Sequence, residues 1–189
     1  GRYDWTGRRD FRALPSEYNP AKGWFASANQ NNLPRDWPRD RIPAFSFKDP
    51  YRYERIADVL SGQRKHSLAD SIALQHDTLS TPARQLLALL PARGSAGAAP
   101  ALVMLRGWDA RVDAESGAAA LFELLWRELG NRMLALIVPE RARALVTEIA
   151  PSVLLGLLAD PDARLGPDPK AARDALFDAA LAAAWNGAR

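Results

Sequence analysis

Asp49-Pro50-Tyr51-Arg52-Tyr53-Glu54-Arg55-Ile56-Ala57-Asp58-Val59-Leu60-Ser61-Gly62 is where the chain changes character. Asp-Pro sets a capping carboxylate before a proline, whose missing N–H is no loss in the first turn of a helix. Tyr53, Ile56, Val59 and Leu60 then form one apolar stripe, and Gly62 supplies the stop. The stretch predicts a helix over 49–62 and opens a helical region over residues 49–189. Residues 1–48, by contrast, show no helical period.

Working downstream, the cap-and-stripe pattern recurs. Ser67 and Asp70 read as a capping box, with Leu68, Ile72 and Leu79 on the apolar face. Thr81-Pro82 starts a third helix, or restarts the second, with Leu86, Leu87 and Leu90 inside. Residues 93–100 are rich in Gly, Ala and Ser and predict a loop. A short helix over 101–106 stops at Gly107-Trp108-Asp109. Asp113 is read as the cap of a long helix that buries Leu121, Phe122, Leu125, Leu129 and Leu136 and is interrupted or bent near Gly130. Pro139 is read as opening another through Ala142, Leu145, Val146, Ile149, Val153 and Leu157, kinked at Pro151. Asp168-Pro169 repeats the Asp49-Pro50 signature, and Leu176, Phe177, Leu181 and Trp185 share one face of the last helix. The fold class predicted is mainly α, with about six helices.

Upstream, Pro, Gly, Arg and aromatic residues dominate. The segment is read as extended, with short strands at 3–7 and at Trp24 to Ala28. Leu33-Pro34, Trp37-Pro38 and Ile42-Pro43 hold the path away from helix. Asn19-Pro20 with Gly23 predicts a turn. Trp24 and Phe25 are assigned to core rather than to a substrate wall. The run ends in the amides Asn29, Gln30, Asn31 and Asn32. An amide at the end of a buried strand can direct a neutral N–H donor at a developing oxyanion. The same residues serve equally to cap and turn a chain, and their spacing leaves both roles open.

The net charge of +3 is too small to suggest nucleic acid as a partner. The charge is uneven, +5 over residues 1–66 and −2 over the rest, but acidic residues are mixed among the basic ones there as on a solvated face. No cysteine is present, which excludes thiol catalysis and disulfides in this chain. His66 and His76 stand ten apart without further ligand pairs, so neither a metal nor a cofactor is predicted. The densest apolar run, Leu134 to Val138, is far short of a membrane span, and no export signal is visible.

Together these motifs carry a resemblance. Trp5-Thr6-Gly7, the Asn19-Pro20-x-x-Gly23 turn, Gly23-Trp24-Phe25-Ala26-Ser27-Ala28-Asn29, Pro50-Tyr51-Arg52-Tyr53-Glu54-Arg55-Ile56, Gln75-x-Asp77-x-x-Ser80, Leu86-Leu87 and Trp108-Asp109 occur in that order. The chain resembles the middle of the β-subunit of the penicillin acylase (penicillin amidase) family of N-terminal nucleophile hydrolases. The motifs cover residues 3–126; beyond 126 only the helical character supports the likeness. The resemblance implies a piece of an αββα fold and an activity on acyl amide bonds. In that family a precursor cuts itself to expose a serine whose hydroxyl attacks the amide carbonyl. The serine's own α-amino group, through water, takes the proton, and a backbone N–H and an Asn side chain hold the oxyanion. By that resemblance Asn29 is the oxyanion donor. Arg52 is the arginine that supports the oxyanion region, its planar fork suited to holding an Asn carbonyl or a backbone oxygen. Family members often carry Asn where Ser27 stands, a departure at the neighbouring position.

Gly1 offers no hydroxyl or thiol, so the chain is expected to be an internal fragment, inactive alone, whose partners are the remaining α- and β-subunit segments. The parent is expected to be periplasmic or secreted. The expected substrate is an acyl amide such as a β-lactam side chain or an acyl-homoserine lactone. The alternative is a non-catalytic helical module that binds a partner. Exposure of Tyr3, Trp5, Trp24 and Phe25 in such a fragment would favour self-association.

Overall fold

A computed structural model of the chain describes residue 4, residues 7–62 and residues 65–188. Its residues fall into two compact units, 1–74 and 75–189. Seven α-helices are present among the described residues, with no strand longer than a single bridge, so the chain is mainly helical.

In the first unit, residues 7–50 run as loop and turn, with 3-10 turns at Phe11–Ala13 and Arg39–Arg41. The predicted turn after Asn19-Pro20 is present. Asn19 and Gly23 both take positive φ (45° and 78°), and the Gly23 N–H donates to the Pro20 carbonyl at 2.8 Å. The strand expected from Trp24 to Ala28 is not: this stretch pairs with no described strand. A strand is completed by a neighbouring edge, and the prolines at 34, 38 and 43 withdraw donors from the segment that follows. Phe25, assigned to core, is 58% exposed, and Trp24 is partly buried with the Lys22 ammonium 4.5 Å over its ring. The strand expected at 3–7 lies largely outside the described residues.

Helix α1 (Tyr51–Gly62) starts and stops within a residue or two of the prediction and keeps Tyr53, Ile56, Val59 and Leu60 partly buried. Helix α2 (Leu68–Gln75) opens on the predicted capping box. The Asp70 carboxylate accepts from the Ser67 N–H (2.8 Å) and hydroxyl (2.7 Å), and the Asp70 N–H donates back to Ser67 Oγ (3.1 Å). The bonds from the Ser67 hydroxyl and then its N–H hold the Asp70 carboxyl below the usual carboxylate range. The apolar face assigned to α2 is not buried, since Leu68 and Ile72 are 79% and 53% exposed. Leu79 lies beyond the helix, in the bridge described next.

In the second unit, Leu79 and Arg111 form an isolated antiparallel bridge. Its bonds run from the Ser80 N–H to the Ala110 carbonyl (2.9 Å) and from the Val112 N–H to the Thr78 carbonyl (2.9 Å). Helix α3 (Thr81–Leu89) is capped by Ser80, whose hydroxyl accepts from the Ala83 N–H, and buries Ala83 and Leu86. The predicted loop gives way to α4 (Ala99–Arg106) two residues early, because Pro100 fits a first turn. Helix α5 (Gly117–Ile137) is capped by Ser116 rather than Asp113 and runs without interruption through Gly130. It buries Leu121, Phe122, Leu125, Leu129 and Met133, while Leu136 is 49% exposed.

The helix expected from Pro139 to Leu157 is only half present. Residues 143–150 are turn and loop, with Leu145 86% exposed. Ala150 is extended (φ −61°, ψ 138°), as a residue before proline prefers, and Pro151 opens helix α6 (Pro151–Ala159) instead of kinking one. Arg143 folds back to donate to the Ala135 (2.8 Å) and Val138 (3.2 Å) carbonyls, completing the end of α5. Helix α7 (Pro169–Gly187) begins at the predicted Asp168 cap, which accepts from the Ala171 N–H at 3.0 Å. α7 packs chiefly on α5 and buries Leu176, Phe177, Ala180, Leu181 and Ala184. α4 packs on α5 and α7, and α3 on α6. No described helix is long and apolar enough to cross a membrane.

Candidate oxyanion site

The turn Ala28-Asn29-Gln30 and the first turn of α1 meet within the first unit. Asn29 has φ +67°, a left-handed conformation that Asn tolerates because its short polar side chain bonds locally. Arg52 is the second residue of α1, where the positive end of the helix disfavours a cation, so the helix itself gains nothing from it there. Its gain is across the turn. One terminal nitrogen, Nη2, donates to the Ala28 carbonyl and to Asn29 Oδ1, each at 2.8 Å. The two residues that sequence and resemblance singled out are therefore in direct contact. The planar fork assigned to Arg52 is not what makes that contact, since both bonds leave the same nitrogen.

A guanidinium can only donate, so the Asn29 atom facing it is the amide oxygen. The amide's other end, Nδ2, then carries two N–H groups with no acceptor among the described residues. Both side chains are exposed. A neutral donor held by a cation at its back and open at its front can serve an anionic oxygen.

Two further residues fix the turn. The Lys48 N–H donates to the Asn29 carbonyl (2.8 Å), and the Ala28 N–H donates to Gln30 Oε1 (2.7 Å). Gln30 is the buried polar side chain of the unit, 6% exposed. Sequence reading placed it among turn-forming amides without a separate role, and nothing in the spacing distinguishes it from Asn31, whose Oδ1 accepts from the Leu33 N–H. Beside Arg52, the Tyr51 phenol is pushed up by burial first and then by the negative Asp49 and Glu54, and stays neutral at ordinary pH.

A cleft of about 390 Å³ in the same unit is lined by Pro15, Ser16, Glu17, Phe25, Asn32, Leu33 and Pro34. It was not foreseen. Its one signal in the sequence is an aromatic flanked by proline-bounded loops. Among the described residues no group of three or more His, Asp or Glu side chains is placed to hold a metal ion.

The penicillin amidase family model matches residues 1–189. An acyl-homoserine lactone acylase, QuiP, of Pseudomonas syringae pv. syringae is 31% identical over 149 residues, which are 70% of this chain and 18% of that protein. The QuiP acylase of Pseudomonas putida is 31% identical over 148 residues, with the same shares of each chain. The penicillin acylase 2 proenzyme of Pseudomonas sp. (strain SE83) is 33% identical over 132 residues, 68% of this chain and 17% of that protein. The matched segment thus spans less than a fifth of the length of these relatives.

Proposed function

The chain belongs to the penicillin amidase family, and from that premise we propose that it is part of an acylase that hydrolyses acyl amide bonds, contributing Asn29 as an oxyanion donor. The observation that carries this reading is the 2.8 Å bond from Arg52 to Asn29 Oδ1, which turns the Nδ2 donors outward. The nucleophile, a serine at a chain terminus made by self-cleavage, is supplied by another segment of the acylase. Its hydroxyl adds to the amide carbonyl, and its α-amino group takes the proton through water. Charge then grows on the carbonyl oxygen, where Asn29 Nδ2 and a backbone N–H receive it. Collapse of the adduct expels the amine, and water releases the acid from the acyl-enzyme. Arg52 acts through Asn29: it fixes the amide and adds positive potential without touching substrate.

Such a donor is effective because its dipole is set before charge develops, so no reorganisation is required during reaction. The remaining acylase segments would cover apolar side chains such as Phe25 that this chain leaves exposed. The names of the relatives supply two amide classes for assay, acyl-homoserine lactones and penicillins. The test is amine release from both by the acylase that contains this chain, with intact-mass confirmation of a newly exposed N-terminal serine. Hydrolysis of either class supports the proposal. A matured protein that hydrolyses neither, or an active one with no such serine, overturns it.

A further inference from the structure

We infer that Gln30 is a positioning residue for the oxyanion donor, holding the left-handed turn that aims Asn29. This rests on the reading of Asn29 given above. Four hydrogen bonds converge on two residues. Ala28 is held at its N–H by Gln30 and at its carbonyl by Arg52, and Asn29 at its carbonyl by Lys48 and at its side chain by Arg52. Arg52 and the Lys48 N–H approach from α1 and the segment leading into it. Gln30 alone works from within the turn, and it alone is buried. Its oxygen doubles back over two residues to the Ala28 N–H at 2.7 Å, which closes the turn around Asn29.

The energetic logic follows from two costs. A left-handed φ is disfavoured for most L-residues, and Asn29 keeps it only while its neighbours over-determine it. The Ala28 N–H loses its acceptor if Gln30 is removed, at a site where Ala28 itself is 6% exposed and water replaces the bond poorly. Release of that bond frees the Ser27–Ala28 peptide plane, next to the one whose Ala28 carbonyl Arg52 holds. Arg52 then follows a moving target rather than a fixed one. Because a misplacement of about 1 Å at a reacting group can cost on the order of 10²-fold in rate, the turn need not unfold to matter.

The test uses Gln30→Met, which keeps length and apolar bulk but removes the acceptor, and Gln30→Glu, which keeps an acceptor oxygen. In the matured acylase, hydrogen exchange at the Ala28 amide is expected to be protected in the wild type and in Gln30→Glu and unprotected in Gln30→Met. Helical content by circular dichroism is expected to be unchanged in all three. In the matured acylase, Gln30→Met is expected to lower kcat roughly 10- to 10²-fold with KM within about threefold. Asn31→Ala, which opens only the following turn, is expected to leave kcat unchanged.

If Asn29→Asp impairs turnover while Gln30→Met has normal kcat, the role given to Gln30 is wrong and that of Asn29 stands. If Asn29→Asp turns over normally, the reading of Asn29 fails. The hold of Gln30 on the turn is then still decided by Ala28 exchange. Equal protection in wild type and Gln30→Met overturns it.

Discussion

Replacement of Asn29 separates its chemistry from its backbone geometry, because the two respond differently to three substitutions. Asn29→Asp keeps a residue that tolerates φ +67° and keeps the oxygen that Arg52 grips, but removes the Nδ2 donors. Asn29→Gly keeps the backbone freedom and removes the whole side chain. Asn29→Ala removes the side chain and also places a Cβ in a left-handed conformation, a strain of roughly 1–2 kcal/mol. Loss of one oxyanion donor costs about 10²–10³ in kcat, or about 2.7–4 kcal/mol of transition-state stabilisation. The donor effect is therefore at least as large as the strain, and only the donor effect is common to all three variants.

The expected result, measured as initial rates of amine release by the matured acylase, is a kcat fall of about 10²–10³ in Asn29→Asp and Asn29→Gly. KM should remain within about threefold, since the interaction is made mainly in the transition state. Asn29→Asp should be the worse of the two, because a carboxylate repels the developing negative charge. Asn29→Ala should show the same loss plus lower stability. A pattern in which Asn29→Ala alone is impaired would refute the donor role and leave only the turn.

Three other outcomes follow from features of the structure. Arg52→Ala should lower kcat by about an order of magnitude or more through loss of both 2.8 Å bonds, whereas Arg52→Lys should fall between it and wild type, because one ammonium nitrogen can also serve two acceptors; equal kcat in the two variants would show that the guanidinium fork matters after all. Leu125→Ala, at a fully buried position of α5, should destabilise the second unit by about 2–5 kcal/mol, read as a lower Tm by circular dichroism; a loss under about 1 kcal/mol would mean that α5 is not central to that core. The Asp162 carboxylate is held down to about 2 by hydrogen bonds from the Arg164 side chain and then its N–H, so the stability it lends is complete above its ordinary value of 3.8 and lost as pH falls through about 2. Carboxyl titration by NMR should show that midpoint, and Arg164→Met should return it toward the ordinary range; an unchanged midpoint would remove Arg164 as the cause.

What could be read from the sequence was what local chemistry decides. Ser67 with Asp70, Asp168 before Pro169, and Gly62 at the end of α1 act within one turn of chain, and all three stand where predicted. Errors arose where a pattern depends on a distant partner or where two local signals compete. Trp24 to Ala28 has a strand's composition but no described edge to pair with, and Leu68 and Ile72 have a helix stripe's spacing but remain exposed. Asp113 and Ser116 are both acceptable caps three residues apart, and the hydroxyl of Ser116 reaches the Ala119 N–H. Across 139–157, apolar spacing favoured one helix while Pro151 forbade it through the residue before it, and the proline prevailed. Asn29 and Arg52 were reached through family likeness; their contact and the left-handed φ that it stabilises come from the fold.

The hydrogen bonds around Asn29 are local, which bears on how an amide so exposed could be preorganised as a donor. Packing cannot hold Asn29, since its side chain lies at the surface and no sheet is present around it among the described residues. Hydrogen bonds to its own and its neighbour's backbone take that part. The division is asymmetric. Lys48 and Arg52 belong to the approach to α1 and its first turn, so the helix start supplies both donors, the Lys48 N–H and Arg52 Nη2, that reach the Ala28 and Asn29 oxygens. Gln30 fixes the remaining N–H from the turn side. A change that shifts the start of α1 should therefore move the carbonyl holds and the amide grip together, and misdirect Nδ2 without touching Asn29. Arg52 also bears the unfavourable end of the helix dipole, a cost of about 0.3–1 kcal/mol. Two charge-assisted hydrogen bonds of about 1.5–3 kcal/mol each in favourable settings exceed it. The balance favours the cation on the turn, with Asn29 Oδ1 engaged by Arg52.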